Sequence, residues 1–475
     1  MSEVFSKKKL ALDISANTLQ IGITQIFGFV IFYLTSRYLD KNLFGDLNWS
    51  MAVSSTVLTI ASLGLDVVFI KRITLKYAMR TNVGIHFFHT ICVSTFLTIL
   101  VIVLVFFNPA FENNHPAFLM MFITLSVLNV SSTFRLSMIG IEAFKGLAII
   151  ALITNIFKLG VVVIAYKYKV FTLYNILFGY LVGNLMEFIL GYLYISKYLH
   201  YPIKPLWSPL RYIQFIKISL PQLGVVILDT IIGRIDWILL GILTTTTITA
   251  DYSFAYKMYE SSKLPLTILT PILFTRFSKI LNSKQIQLQD INTITNFFKW
   301  ELFIISLIPL VLICIWSPLV DYFTENKYGK TNETCYTILA ICVPLQAIIN
   351  YLWSIGFAQG QIKSILYITL SAAVINLLFN ILLIPYYQAI GAAIAFLIST
   401  IFQTLLYIIY ITQNDLKLHY KTCVLMFLNS SLSILISKYI FENYIAQGCF
   451  AICIYGILAL LSKQVQFKLT GIFKE

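Results

Sequence analysis

Charge is what this sequence has least of. Only 11% of its 475 residues are Asp, Glu, Lys or Arg, where soluble domains carry about 25%. Histidine is scarce as well, at 5 residues. No HExxH pair, Walker loop or nucleotide-binding glycine loop is present, which leaves no handle for zinc hydrolysis or nucleotide chemistry. Long polar connections are also missing. The longest lies at about 276–299, so no soluble catalytic domain is expected beside the apolar segments. Nor is a cleavable leader expected. Lys7, Lys8 and Lys9 precede an apolar stretch too long for one, with no small-residue cleavage site.

What remains is apolar. Hydrophobic residues make up 59% of the chain, and the mean hydropathy is +0.84. No soluble core hides that much surface. A helix that crosses a bilayer needs about 20 apolar residues. The sequence offers such runs at about 14–36, 47–69, 85–107, 117–139, 147–166, 171–195, 217–243, 250–275, 300–322, 334–357, 364–384, 389–411, 422–440 and 446–462. The expected fold class is an all-α polytopic membrane protein with about fourteen transmembrane helices.

The net charge of +14 does not point to nucleic acid. The basic residues alternate between loops, with Lys71, Arg72, Lys76, Arg80, Lys197 and Arg211 on one side. The other side has few, Lys167 and Lys169 among them. The rich side is expected to be cytoplasmic, with both termini there. The small outer loops argue against a polymerase or glycan transferase working at the outer face.

A weak internal repeat places Ile14-Ser15 on Ile218-Ser219 and Arg72 on Arg276. It predicts two six-helix lobes, 1–200 and 201–412, followed by two added helices and a tail over 413–475. Paired lobes around a central site are a common transporter design.

The stretch GRIDWILLG at 233–241 puts Arg234 and Asp236 inside an apolar run. Residues two apart on a helix diverge by about 200°, so these two cannot pair on their own helix. Asp229, Gly233 and Asp236 share one face, and Arg234 looks elsewhere. The next segment carries Lys257, Glu260 and Lys263 at three-residue spacing. Were the two helices antiparallel neighbours, Asp236 and Lys257 would be level. Lys158 and Glu187 fall near mid-membrane on the fifth and sixth helices by the same reckoning. A charge at the bilayer centre costs at least about 2.5 kcal/mol, so these groups are expected to face the bundle interior or water. They could be ion pairs that pin helices. As a set they suggest a cavity with a cationic wall formed by Arg234, Lys257, Lys158 and Lys263, suited to an anionic substrate such as a pyrophosphate headgroup. Asp236, Asp229, Glu187 and Glu260 would be charge partners or coupling carboxylates, with a proton or sodium ion exchanged.

Other features read more plainly. The 7 cysteines fall mostly in apolar segments. Cys449 and Cys453 are one turn apart with no further ligand nearby, so they read as packing and not as a metal site. No cofactor is expected. IGAAIAF at 390–396 reads as small-residue helix packing, and Asn376 with Asn380 as interhelical hydrogen bonding. Tyr256 and Tyr259 could stack on sugars.

Three stretches resemble a known family. They are SRYLDKNLFGDLNW with its continuation to GLDVVFIKR at 36–72, RIDWILLGILTTTTITADYSFAYKMYESSKLP within 234–279, and NLLFNILLIPYYQAIGAAIAFLIS at 376–399. In order and spacing they are similar to the polysaccharide flippases (Wzx-type O-antigen and exopolysaccharide translocases) of the multidrug/oligosaccharidyl-lipid/polysaccharide exporter superfamily. The resemblance implies a V-shaped twelve-helix core with two helices added, and alternating access. The implied cargo is an undecaprenyl-pyrophosphate-linked glycan repeat unit, carried from the inner to the outer leaflet. Contact with membrane lipid and with the polymerase and chain-length machinery is implied too, and no enzymatic step. By position, Arg234, Asp236 and Lys257 match charged lumen positions of the family, with Lys158 as an N-lobe counterpart. The sequence departs from many relatives at Ala250-Asp251, where they have a glycine before the tyrosine. Its first helix carries Asn17, Gln20 and Gln25 but no basic residue. The related peptidoglycan-precursor flippases have one, which argues against the cell-wall precursor as cargo. The alternatives are a cation-coupled multidrug exporter of the same superfamily, which should favour acidic lumen residues, and a membrane glycosyltransferase or polymerase.

Overall fold

The computed structural model describes residues 7–107, 115–266, 288–359, 361–411 and 420–462. Among these residues every regular element is a helix. In chain order they are α1 Lys7–Tyr38, α2 Lys41–Ala61, α3 Leu65–Thr74, α4 Met79–Phe107, α5 His115–Gly140, α6 Phe144–Lys167 and α7 Leu173–Leu199. Then follow α8 Pro209–Leu243, α9 Thr246–Ser262, α10 Leu288–Thr324, α11 Gly329–Ala358, α12 Ile362–Ile411, α13 Tyr420–Ile440 and α14 Tyr444–Leu461.

Local chemistry sets several of the ends. The Asp40 carboxylate accepts the Asn42 backbone N–H at 3.0 Å and opens α2. Thr172 does the same for α7 through Asn175, and Asn443 for α14 through Ile445 at 2.9 Å. Each satisfies a donor that the first helical turn leaves orphaned.

Every apolar run expected from the sequence contains helix, with instructive differences. The run at 47–69 is broken. Helices α2 and α3 meet at 58°, and Gly64 occupies the left-handed region at φ +68°. A Cβ on Gly64 would lie 2.7 Å from the Leu223 backbone nitrogen. The bend therefore needs glycine both for its dihedral and for the close passage of α8. The runs at 364–384 and 389–411 form the single long element α12, interrupted at Gln388 (φ 52°, ψ −128°). The run at 250–275 is seen through α9, while its part beyond 266 and the repeat anchor Arg276 lie outside the described residues. Ten helices are long and apolar enough to cross a membrane, or eleven if the bent pair counts as one span, among the described residues. The expected number of fourteen is thus approximate. The all-helical membrane class holds.

The chain forms two compact units, Met1–Ile238 and Leu239–Glu475, so the boundary falls inside α8. The first unit packs around Phe69, Phe134, Phe215 and Leu65, with a second cluster of Leu58, Val101, Phe118 and Phe122. In the second unit Trp316 stacks on Tyr336 at 3.8 Å, and Phe254 on Tyr328 at 4.6 Å. Helices α13 and α14 pack on each other and on α10. The pattern is the inverse of a soluble bundle. Phe106, Phe107, Leu382 and Leu435 are exposed, while His86, Asn184, Asn376 and Asp236 are buried. Apolar side chains outside and polar ones inside suit a lipid solvent.

The small-residue stretch behaves as read: Ala392, Ala393 and Ala395 are fully buried. Asn376 and Asn380 are both fully buried, and Asn380 Nδ2 donates to the Asn376 side-chain oxygen at 3.1 Å within the helix. Ser399 links the two arms of α12 by donating to the Ala372 carbonyl at 2.9 Å.

Candidate functional site

Two polar cavities lie within the first unit. One, of about 250 Å³, is lined by Ser55, Thr56 and Thr59 of α2 and by Thr230, Gly233 and Arg234 of α8. Both triplets follow helical spacing, so each set shares a face. Trp49 ties the two helices together by donating its indole N–H to the Ile238 carbonyl at 3.4 Å. The guanidinium of Arg234 sits 5.0 Å from the Trp237 ring centre and forms no ion pair among the described residues. A Cβ on Gly233 would meet nothing within 4 Å, so the glycine widens the cavity beside the arginine. The Thr56 hydroxyl is buried and has no hydrogen-bond partner among the described residues. Ser55 and Thr230 donate to the carbonyls of Ala52 and Val226, which leaves their oxygens able to accept. A planar cation next to hydroxyl groups is suited to a phosphate or pyrophosphate oxygen.

Asp236 is fully buried and is not among the residues that line this cavity, in keeping with the angle between residues two apart on a helix. Asp229 belongs to α8, and its side chain lies outside the described residues.

The second cavity, of about 180 Å³, collects Gln20 and Thr24 of α1, Arg135 of α5, Thr154, Asn155 and Lys158 of α6, and Glu187 of α7. Arg135 Nη1 donates to Glu187 Oε1 at 3.2 Å, and the Ser131 hydroxyl approaches the same oxygen at 3.4 Å. Lys158 forms no ion pair among the described residues, and its ammonium lies 6.0 Å from the Tyr180 ring centre. Its stem fills the space that Gly183 leaves. A Cβ there would come within 2.3 Å of Lys158 Cγ. The cavity therefore holds two cations and one carboxylate. Sequence reading placed Lys158 and Glu187 at one depth, and both line this cavity.

In the second unit, Lys257 and Glu260 pair at 3.0 Å on the same helix. Lys263 closes α9 with its ammonium 4.2 Å from the Tyr259 ring centre. Tyr256 and Tyr259 are buried and lie edge-on to Phe396 at 5.9 and 5.5 Å. They are core residues, not open platforms for a sugar, because α9 turns that face towards α12.

Sequence reasoning gave no role to Arg135, Ser55, Thr56, Thr59, Thr154 or Asn155. The signal for the first cavity was the run SST at 54–56 inside an apolar helix. Such hydroxyls usually return to their own backbone. No group of metal-binding side chains forms among the described residues.

The fold is known from solved proteins. The chain aligns with the "Lipid II flippase MurJ, inward closed conformation" at a TM-score of 0.73 and 15% identity, over 94% of this chain and 98% of that one. An inward-facing multidrug resistance MATE family transporter of the MOP superfamily aligns at a TM-score of 0.62 and 13% identity, over 83% and 98%. A MATE transporter of Vibrio cholerae aligns at 0.58 and 13%, over 86% and 98%. At these identities the likeness shows the fold. No curated protein sequence matches the chain. The sequence model described as "Polysaccharide biosynthesis protein" matches residues 10–281. That is more than half of the chain, and the protein belongs to this family of polysaccharide biosynthesis proteins, built on the fold shared by the lipid II flippase and the MATE transporters.

Proposed function

We propose that this protein is a flippase. Its cargo is an undecaprenyl-pyrophosphate-linked oligosaccharide repeat unit of an O-antigen or another surface polysaccharide, moved from the inner to the outer leaflet of a bacterial cytoplasmic membrane. The single observation that carries the reading is the hydroxyl-lined cavity in which Arg234 has no ion pair among the described residues. A cation held without an acid partner at membrane depth is expensive unless an anion visits it. Ser55, Thr56, Thr59 and Thr230 would hydrogen-bond the diphosphate while Arg234 takes its charge. Lys158, Lys257 and Lys263 are further cations for a headgroup in transit. Asp229, Asp236, Glu187 and Glu260 are charge partners or coupling carboxylates for a proton or sodium ion. The lobes 1–200 and 201–412 would alternate around the cargo, with 413–475 as an added helix pair and tail and both termini cytoplasmic. No bond is made or broken in this scheme, so the protein is not an enzyme.

The family membership and the fold shared with a lipid II flippase support this reading. A second reading, a cation-coupled multidrug exporter, is favoured by the fold shared with MATE transporters. The pocket's arginine argues against it, since organic cations call for acidic walls.

The test is a gene deletion complemented with wild type or with Arg234→Ala. Repeat units trapped on the inner leaflet, released by wild type and not by an inserted, folded variant, are the expected result. Normal surface glycan in the deletion strain would sink the flippase reading and bring the drug exporter forward.

A further inference from the structure

Glu301 of α10 belongs to neither cavity. Its exposure is 1%, and neither carboxyl oxygen has a hydrogen-bond partner among the described residues. It sits where α10 meets α11, and among the described side chains the titratable groups near it there are neutral in kind. From α11 comes Tyr351, whose ring stacks at 4.0 Å on Phe298, one turn before Glu301. From α13 comes Cys423, which neighbours Tyr351. Tyr455 of α14 stacks at 5.1 Å on Phe303, two positions from Glu301 and so on another side of α10. On α10 itself Lys299 is two positions away and points to another side. Helix α9 meets α10 near Trp316, far along the helix.

A carboxylate with no cation and no donor, sealed from water, is strongly disfavoured against the neutral acid. A metal cation would need several oxygens around it, and no metal-binding group of side chains forms here among the described residues. A proton needs none. We propose that Glu301 is a proton-binding site that locks α11 onto α10. Protonated, the acid fits the closed apolar seam. Losing the proton leaves a bare charge that only water or a cation can relieve, and both must enter by opening that seam. The inference does not depend on what the protein carries.

The test uses the purified full-length chain in detergent. Infrared spectra of wild type and Glu301→Gln at neutral pH are compared for the carbonyl band of a neutral carboxylic acid. The band is expected in wild type and lost in the variant. Dicyclohexylcarbodiimide gives a second readout. The acid's proton passes to a carbodiimide nitrogen, its oxygen adds to the carbodiimide carbon, and an acyl shift to nitrogen leaves an N-acylurea, with no atom lost. The added mass should appear on the peptide bearing Glu301 and fall several-fold at high pH. Deuterium exchange in α11 around Tyr351 should rise with pH beyond the intrinsic rate in wild type and not in Glu301→Gln. Identical infrared spectra would overturn the proton site. So would loss of band and label on adding sodium at fixed pH, which would make the site one for a metal ion. Equal exchange in the two proteins would overturn the lock.

Discussion

Arg135 on α5 and Glu187 on α7 meet at 3.2 Å across two helices. The Arg135 side chain keeps 40% of its surface exposed and that of Glu187 only 15%, so the pair lies at the edge of the cavity it shares with Lys158. One carboxylate thus stands near two cations. Removing it leaves both uncompensated, whereas removing Arg135 leaves Glu187 with Lys158 as a nearby cation. Glu187→Gln is expected to destabilise the protein by about 2 kcal/mol, between the values for exposed and buried pairs. Arg135→Gln is expected to cost less. Thermal unfolding of the two variants and of the double variant in detergent measures the coupling. Equal losses for the single variants would show that Lys158 does not sense Glu187.

Gly183 and Lys158 give a way to move a charge without removing it. A methyl group on Gly183 collides with the flexible lysine stem and not with backbone, so the lysine can swing aside at small cost. Gly183→Ala is expected to change the melting temperature little and to lower transport as far as Lys158→Met does. Both are read by surface polysaccharide in a complemented deletion strain. Full transport by Gly183→Ala alongside loss in Lys158→Met would mean that the ammonium need not sit where it does.

At the first cavity the geometry of the cation should matter beyond its charge. Hydrogen bonds to charged groups contribute about 1.5–3 kcal/mol, which corresponds to headgroup binding about 10- to 150-fold weaker in Arg234→Ala. Arg234→Lys keeps the charge but loses the fork that grips two oxygens, and is expected to fall between wild type and alanine. Thr56→Val removes the orphan hydroxyl at nearly constant shape, and should weaken binding while leaving folding intact. Binding of a soluble diphosphate-lipid analogue to purified protein reads all three. Unchanged affinity in Arg234→Ala would take this cavity out of the transport path.

How much of this was legible follows from what each residue reports by itself. The spans were readable because bilayer thickness fixes their length and lipid demands apolar faces. The interruption between 384 and 389 was readable too, and it appears at Gln388. The charges Lys158, Glu187 and Arg234 were visible as anomalies in apolar helices. Their partners were not. The Arg135–Glu187 contact depends on the rotation of α5 against α7, which no local pattern encodes. Thr56 looks like any helical hydroxyl until its donor is found to lack an acceptor. Glu301 passed unnoticed because it stands at the very edge of an apolar run, beside Lys299, where a charge is ordinary. Only the packing of α11 against it makes it unusual.

The bend at Gly64 offers the most severe single substitution. Glycine there satisfies two separate demands. Its φ of +68° is disfavoured for any residue with a side chain, and a Cβ would lie 2.7 Å from Leu223 nitrogen and 3.0 Å from the Gln222 carbonyl carbon. Those neighbours are backbone, so no side chain can swing away to relieve the contact. Strain of this kind costs about 1–3 kcal/mol before the collision is counted. Gly64→Ala is expected to lower the melting temperature and the yield of folded protein sharply. Gly233→Ala, whose methyl group meets open space, should fold normally and serves as the control. Wild-type stability in Gly64→Ala would mean that α8 does not pass so close to the bend. The seating of Arg234 against Ser55, Thr56 and Thr59 would then need a different support.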